Sequence, residues 1–353
     1  MIARAAPRLA TFALAVACVC SLSGCAPDGS DAQDEEHPTR TSLLAVGDTG
    51  SVWGPMPSLF EGQLAVGAAL QREHEADPVD ALVLLGDNFY PSGLLAHELE
   101  ARIVQNVVRP YCAFVDPSTR MADVVSRFCG GSRWPVPQLI AIVGNHDVLS
   151  PGSVELQREA VPRYVRNWDM PDQDGPVVRE LPGGLSLVLL FSEWPWDDAA
   201  SRALARALEE ARGPWRVIIG HRPPITGHPQ LKRMVASASR ESGHIVHAYL
   251  AGHVHGLVAI RGSRQDAAPV LTVIAGSGSQ AKLQQETEYR IEGAEVMQEA
   301  LGFVRLDVTG RTTSPQLRIT LSKARPSAAL ALFGTTTLAR YEIELDGALE
   351  RVD

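Results

Sequence analysis

Basic residues are in short supply: 32 lysines and arginines stand against 41 aspartates and glutamates over 353 residues, a formal net charge of −9. No long Lys/Arg run interrupts that balance. Nucleic-acid phosphates need a basic footprint, so the composition argues against a nucleic-acid partner and leaves small phosphorylated molecules open. Long apolar runs are missing too. LATFALAVACVC, residues 9–20, is too short to cross a bilayer as a mature helix, and it sits between Arg4 and Arg8 on one side and LSGC on the other. That is the order of an export signal. Cysteine is sparse: Cys18 and Cys20 lie in the apolar run, Cys25 ends LSGC, and only Cys112 and Cys129 remain for the rest. Outside the cytoplasm those two can pair, contributing roughly 3 kcal/mol through the entropy of the closed loop. The alternative is two buried free thiols.

Leu22-Ser23-Gly24-Cys25 resembles the bacterial lipobox. The resemblance implies that residues 1–24 are a lipoprotein signal peptide, and that Cys25 carries a lipid anchoring the protein to a membrane. Removing residues 1–24 takes away two arginines and no acids, moving the formal charge from −9 to −11. Ala26 follows the cysteine, where an aspartate would favour retention at the inner membrane, so an exported, periplasmic or surface-facing protein leaning toward an outer membrane is expected. Residues 25–41 are polar and acidic without an apolar period, as befits a tether. A single folded domain over 42–353 follows, with no repeat at a fixed period and no second core-sized block.

What the domain does contain is one phrase used five times: a short aliphatic run, a glycine, then a polar residue. The instances are LLAVGD, LVLLGD, LIAIVGN, VIIGH and YLAGH. Aliphatic runs without polar alternation read as strands buried on both faces, hence a sheet covered by helices. Helical patterns fill the gaps at 58–76, 93–108 and 197–212, the last capped by Asp197 or Asp198. APVLTVIAGSGS, LGFVRLDV and QLRITL add further strands and suggest a second sheet. The fold class is α/β. Segments 109–137 and 222–243 read as loops over the site and carry no recognisable motif.

In such folds functional groups collect beyond the carboxyl ends of strands. Asp48, Asp87, Asn145, His221 and His253 share that placement, with His255 and Tyr90 close behind. Oxygen and imidazole donors without thiolate suit iron, zinc or manganese. Seven donors exceed what one ion needs, whereas two ions sharing a carboxylate would use them all.

GDTG, GDNFY, GNHD, GH and GHVH, in that order, resemble the motif blocks of the calcineurin-like metallophosphoesterases. With LLGDNFY, RNWDMPD and AYLAGHVH they are most similar to the purple, tartrate-resistant type of acid phosphatase, over about residues 42–322. The resemblance implies a four-layer αββα sandwich of two mixed sheets with metals at the carboxyl ends of the strands. It implies phosphate-monoester hydrolysis by hydroxide raised at a ferric–divalent pair, the divalent ion being Fe, Zn or Mn. Asp48, Tyr90, His255 and bridging Asp87 would hold ferric iron; Asp87, Asn145, His221 and His253 would hold the divalent ion. Many relatives place a histidine two residues after the first aspartate; here Gly50 stands there, and Tyr90 is expected to fill the vacancy. A phenol must lose a proton of pKa near 10 to ligate, which a trivalent ion promotes best. The catalytic set would be His146 against the phosphate, Asp147 orienting it, and His228 protonating the leaving oxygen, with Arg222 a further phosphate contact.

The substrate is then a small phosphorylated molecule or a phosphoprotein. A colourless phosphodiesterase with two divalent ions, and a binding lipoprotein that keeps the fold without turnover, are the alternatives. His37, His74 and His97 read as solvated, His244 and His247 as structural, and Trp194 and Trp196 as packing or cleft-wall aromatics.

Overall fold

The computed structural model describes residues 41–51, 61–129, 135–172, 175–193, 195–283, 291–311 and 314–353. The signal, the Cys25 tether up to residue 40, His37 and Trp194 lie outside the described residues. Each aliphatic run of the repeated phrase forms a strand whose side chains are covered on both faces. β1 (Thr41–Val46), β2 (Ala81–Leu84) and β3 (Gln138–Ala141) run parallel in that order, and β4 (Trp168–Asp169) extends the row. In register, Leu43 stands beside Ala81, and Ala81 beside Gln138. On the other side of β1 the sheet turns antiparallel through β12 (Gly302–Arg311), β13 (Ser314–Lys323), β14 (Thr336–Ile343) and β15 (Leu349–Arg351).

The second sheet repeats the plan. β6 (Leu185–Leu190), β7 (Trp215–Gly220), β8 (Ala248–Ala251) and β10 (Leu271–Ala275) are parallel neighbours. Antiparallel β5 (Val177–Leu181) closes one edge, β9 (Leu257–Arg261) and β11 (Ala294–Gln298) the other. The two inner faces meet in one apolar layer, Leu43, Val83, Ile140 and Leu306 from the first sheet against Leu187, Ile219, Leu250 and Val273 from the second. At roughly 25 cal/mol per Å² of buried apolar surface, this layer is the main force holding the sheets in mutual register.

Helices cover both outer faces, so the domain is a four-layer α/β sandwich of two mixed sheets. α1 (Gly62–Ala76), α2 (Leu99–Ile103) with a π-helical turn over Val104–Val108, and α3 (Ala122–Cys129) pack with short α4 (Ser153–Glu155) on the first sheet. α5 (Asp198–Glu210) and α6 (Pro229–Ser242) cover the second. Asp197 caps α5 by accepting the Ala200 N–H, one of the two alternatives read from the sequence. Pro229 opens α6 with the ring-fixed φ suited to a first turn, and Gly243 ends it at φ 67°.

Several expectations change here. Segment 109–137 is not one loop: it holds a 3₁₀ turn at Cys112–Phe114 and helix α3. Most of 222–243 is α6. Cys112 is disulfide-bonded, and the Cys129 side chain lies outside the described residues. His74 is fully buried rather than solvated: it faces inward from α1, packs on Phe114 at 5.1 Å and accepts the Val79 N–H. Burial depresses its pKa accordingly.

Candidate metal centre

The parallel strands of both sheets end on one side of the sandwich, and the polar residues of the repeated phrase follow those ends. Asp48 comes after β1, Asp87 after β2, Asn145 after β3, His221 directly after β7 and His253 after β8, with His255 leading into β9. Turning so sharply requires unusual backbone: Asp48, Asp87 and His253 adopt φ of 58°, 54° and 67°. Left-handed conformations in non-glycine residues cost about 1–3 kcal/mol each and persist where the surrounding structure overdetermines them. The glycines make room for the donors. A Cβ on Gly144 would stand 2.3 Å from Asp87 Oδ1, and one on Gly252 2.7 Å from Asp48 Oδ2. At Gly50 a Cβ would lie 2.4 Å from the Phe89 nitrogen, so no side chain can stand there.

Tyr90 reaches the same donors from the loop after β2. Its hydroxyl is 2.9 Å from Asp48 Oδ1, 2.9 Å from Asp87 Oδ2 and 3.0 Å from His255 Nε2. His255 Nε2 is in turn 3.1 Å from Asp48 Oδ1. The phenol proton can serve only one of the two carboxylates, and even with a proton on His255 Nε2 the acceptor atoms outnumber the protons here. Donors at right angles around an ion held at ~2.0–2.1 Å lie about 2.9 Å apart, which is the spacing found. Without an ion, burial and then the charges of Asp48 and Asp87 push the Tyr90 pKa strongly upward.

The second group forms around His221. Its Nε2 is 3.1 Å from Asn145 Oδ1 and 3.5 Å from Asp87 Oδ2, while Nδ1 meets the Leu85 carbonyl at 2.8 Å. That carbonyl takes the Nδ1 proton and leaves Nε2 facing the site, the usual arrangement of a metal-ligating imidazole. Burial opposes charge on His221, but adjacent Asp87, by charge and hydrogen bond, carries its pKa up to about 10. Asp87, itself opposed by burial, is held well below the usual carboxylate range by His221. A cation would take the place of the proton they share. Donor atoms of Asp48, Asp87 and His221 lie within 4.8 Å of one another. The residues present therefore fit a pair of cations.

His253 stands with its ring 5.1 Å from that of His221, and its backbone N–H donates to Asp48 Oδ2. Burial first, then the neighbouring His221 and Arg222, lower its pKa to about 2. His146 donates its backbone N–H to Asp87 Oδ1 and packs edge-on against Tyr90 at 4.6 Å. Asp147, expected to orient His146, does something else. Its buried carboxylate accepts the N–H groups of Gly144, Asn88 and Phe89 and the Gln157 amide, tying the loop after β2 to the loop after β3. The His146 ring meets the Pro91 carbonyl instead. Burial, then Asp87, raises Asp147 to about 7.

His228 is not on the surface: it is 7% exposed, 5.4 Å from His253, with Nδ1 on the Pro223 carbonyl and Trp196 at 5.7 Å. Burial, the largest influence on it, lowers its pKa.

The sequence singles out neither Gln157, in the Asp147 network, nor two further supporting residues. Arg102, 5% exposed, donates to the Gly50 and Tyr90 carbonyls and so fixes the tyrosine-bearing loop. Glu193 grips Arg222 Nε at 2.8 Å. Nothing in the local sequence around Arg102 signals this role; Glu193 ends the strand-like LSLVLLFSE, a signal of the same kind as the five phrases but lacking their glycine.

Two stacked mixed sheets that gather oxygen and imidazole donors at their carboxyl ends define a metal-binding α/β sandwich. The chain belongs to the calcineurin-like phosphoesterase family, whose model matches residues 41–257. Among solved structures it is similar to GAP50, the anchor in the inner membrane complex of Plasmodium, with TM-score 0.58 and 13% identity over 85% of this chain and 89% of that one. It is similar also to purple acid phosphatase PPD1 from yellow lupin (Lupinus luteus) seeds, with TM-score 0.57 and 14% identity over 87% of this chain; it spans 54% of the lupin protein. PhoD gives TM-score 0.53 and 12% identity over 89% and 72%. At these identities the likeness is one of fold. No curated protein matches in sequence.

Proposed function

We propose that the protein hydrolyses phosphate monoesters at a ferric–divalent pair, outside the cytoplasm, anchored to a membrane by a lipid on Cys25. The observation that carries the reading is the Tyr90 hydroxyl among Asp48, Asp87 and His255. A phenol in a cation site favours a trivalent ion, which can remove its proton. When bound, such a pair supplies a nucleophilic hydroxide near neutral pH and neutralises charge on the phosphate. The protein residues do the rest. Asp48, Tyr90 and His255 would hold the ferric ion, Asn145, His221 and His253 the divalent one, and Asp87 would be shared. His146, whose ring packs against Tyr90, would donate to a phosphate oxygen as its charge develops. The Asp147 network holds the Asp87 loop against the Asn145 loop, so the two halves keep one spacing. His228 remains the candidate for protonating the leaving oxygen, by its place beside His253.

The test is metal analysis and a visible spectrum of protein made without residues 1–24, wild type beside Tyr90→Phe. Iron with a visible band in the wild type, and iron without the band in the variant, is the expected result. Identical spectra remove the ferric phenolate. A colourless protein that prefers diesters would point to two divalent ions instead, and absence of any Asp87-dependent turnover to a binding role.

A further inference from the structure

Arg222 stands directly after His221, and both its backbone and its guanidinium are held. Its N–H donates to Ser192 Oγ at 2.8 Å, and its carbonyl accepts the Tyr249 hydroxyl at 2.8 Å. The guanidinium Nε donates to Glu193 Oε2 at 2.8 Å, with the Glu193 side chain only 9% exposed. Nη1 then reaches His253 Nε2 at 2.9 Å, with His228 Nε2 farther off at 3.5 Å.

The contact with His253 has a chemical direction. Arginine has donors and no acceptor, so His253 Nε2 must offer its lone pair, and a neutral imidazole with its lone pair on Nε2 carries its proton on Nδ1. Ligation through Nε2 would need the lone pair Arg222 occupies. Ligation through Nδ1 would need that proton to leave Nδ1 for Nε2, where the Arg222 N–H already points. By either nitrogen, His253 can hold a cation only after this hydrogen bond breaks. A fixed positive charge beside the ring opposes a second cation further.

The first half of the site carries no such conflict. Asp48, Tyr90, His255 and Asp87 converge with no lysine or arginine bonded to their donor atoms among the described residues.

We propose that Arg222 sets the affinity of the second cation position: the divalent ion enters in exchange for the Arg222–His253 hydrogen bond. Glu193 keeps the displaced guanidinium at the rim, where it can meet a phosphate. This inference rests on the binuclear reading of the site.

The test is a calorimetric titration of chelator-stripped protein with Mn²⁺, comparing wild type, Arg222→Met and Arg222→Lys. Two well-separated binding steps are expected for the wild type. Arg222→Met should tighten the second step by on the order of tenfold or more, as expected for removing a charge-assisted bond that must otherwise be broken, and leave the first unchanged. Arg222→Lys, still cationic, should fall between. A second step unmoved or weakened in Arg222→Met overturns the inference alone. Fewer than two ions bound by both wild type and Arg222→Met, when Fe³⁺ is supplied before the Mn²⁺ titration, overturns the binuclear reading with it. A measurement on the wild type needs no variant: ¹⁵N NMR of the metal-free protein should find the His253 proton on Nδ1, and a proton on Nε2 overturns the inference.

Discussion

The two halves of the centre are built from similar residues yet differ in readiness. Around Tyr90, four donors from three loops already stand at ligand spacing, and Arg102 pins the loop that carries the phenol. Around His221, two donors converge while the third, His253, is engaged by an arginine. The first half is preorganised and the second is contested, although both draw on strands of the same kind. A ligand set read as a list therefore says less than the partners each ligand keeps.

The widest effect should come from Asp87→Asn, because this carboxylate faces both halves. Metal retention and turnover should both fall by more than the ~10–100-fold that loss of an outer partner costs, as seen by metal analysis and kcat/KM on a monoester. Asn145→Ala sharpens the comparison. It should weaken only the second ion, by roughly 10–100-fold, and leave any visible band from the first half in place; loss of both ions together would show that the halves are not separable.

Gly144→Ala attacks the shared wall between them. Its Cβ would meet the Asp87 backbone and carboxylate at 2.3 Å, so stability should drop by ~1–3 kcal/mol in denaturant unfolding, with poorer metal retention.

The smallest effect lies away from the centre, at His247, 2% exposed and packed on Trp215 at 4.8 Å. Burial lowers its pKa from 6.5 to about 4. The unfolded chain then binds a proton first as pH falls, so this residue's contribution is complete above pH ~6.5 and is lost toward pH ~4, at most about 3 kcal/mol. His247→Phe should flatten that part of the pH–stability profile. An unchanged slope would assign it to the buried histidines of the centre instead.

Much of this is legible in the sequence. The glycine-polar phrase marked Asp48, Asp87, Asn145, His221 and His253, because a buried strand that ends in a donor is costly unless the donor has a partner. The side chains that hold those donors were not legible. Arg102, Glu193 and Gln157 lie in helices or loops whose local patterns are ordinary, and their roles depend on neighbours 12 to 69 residues away. Asp147 shows the same limit: adjacency to His146 suggested a partnership, but side-chain direction sent its carboxylate into the loop backbone. His74 reads as a surface residue until Phe114 is folded over it.

By itself, the sequence determined which residue types end which strands, since periodicity and turn chemistry are local. Only the tertiary structure decided that the ends of β1, β2 and β3 meet those of β7 and β8, because that meeting depends on the apolar layer pressing two sheets face to face. It also decided which nitrogen, carbonyl or guanidinium each donor faces, a matter of directions in space that no spacing along the chain encodes.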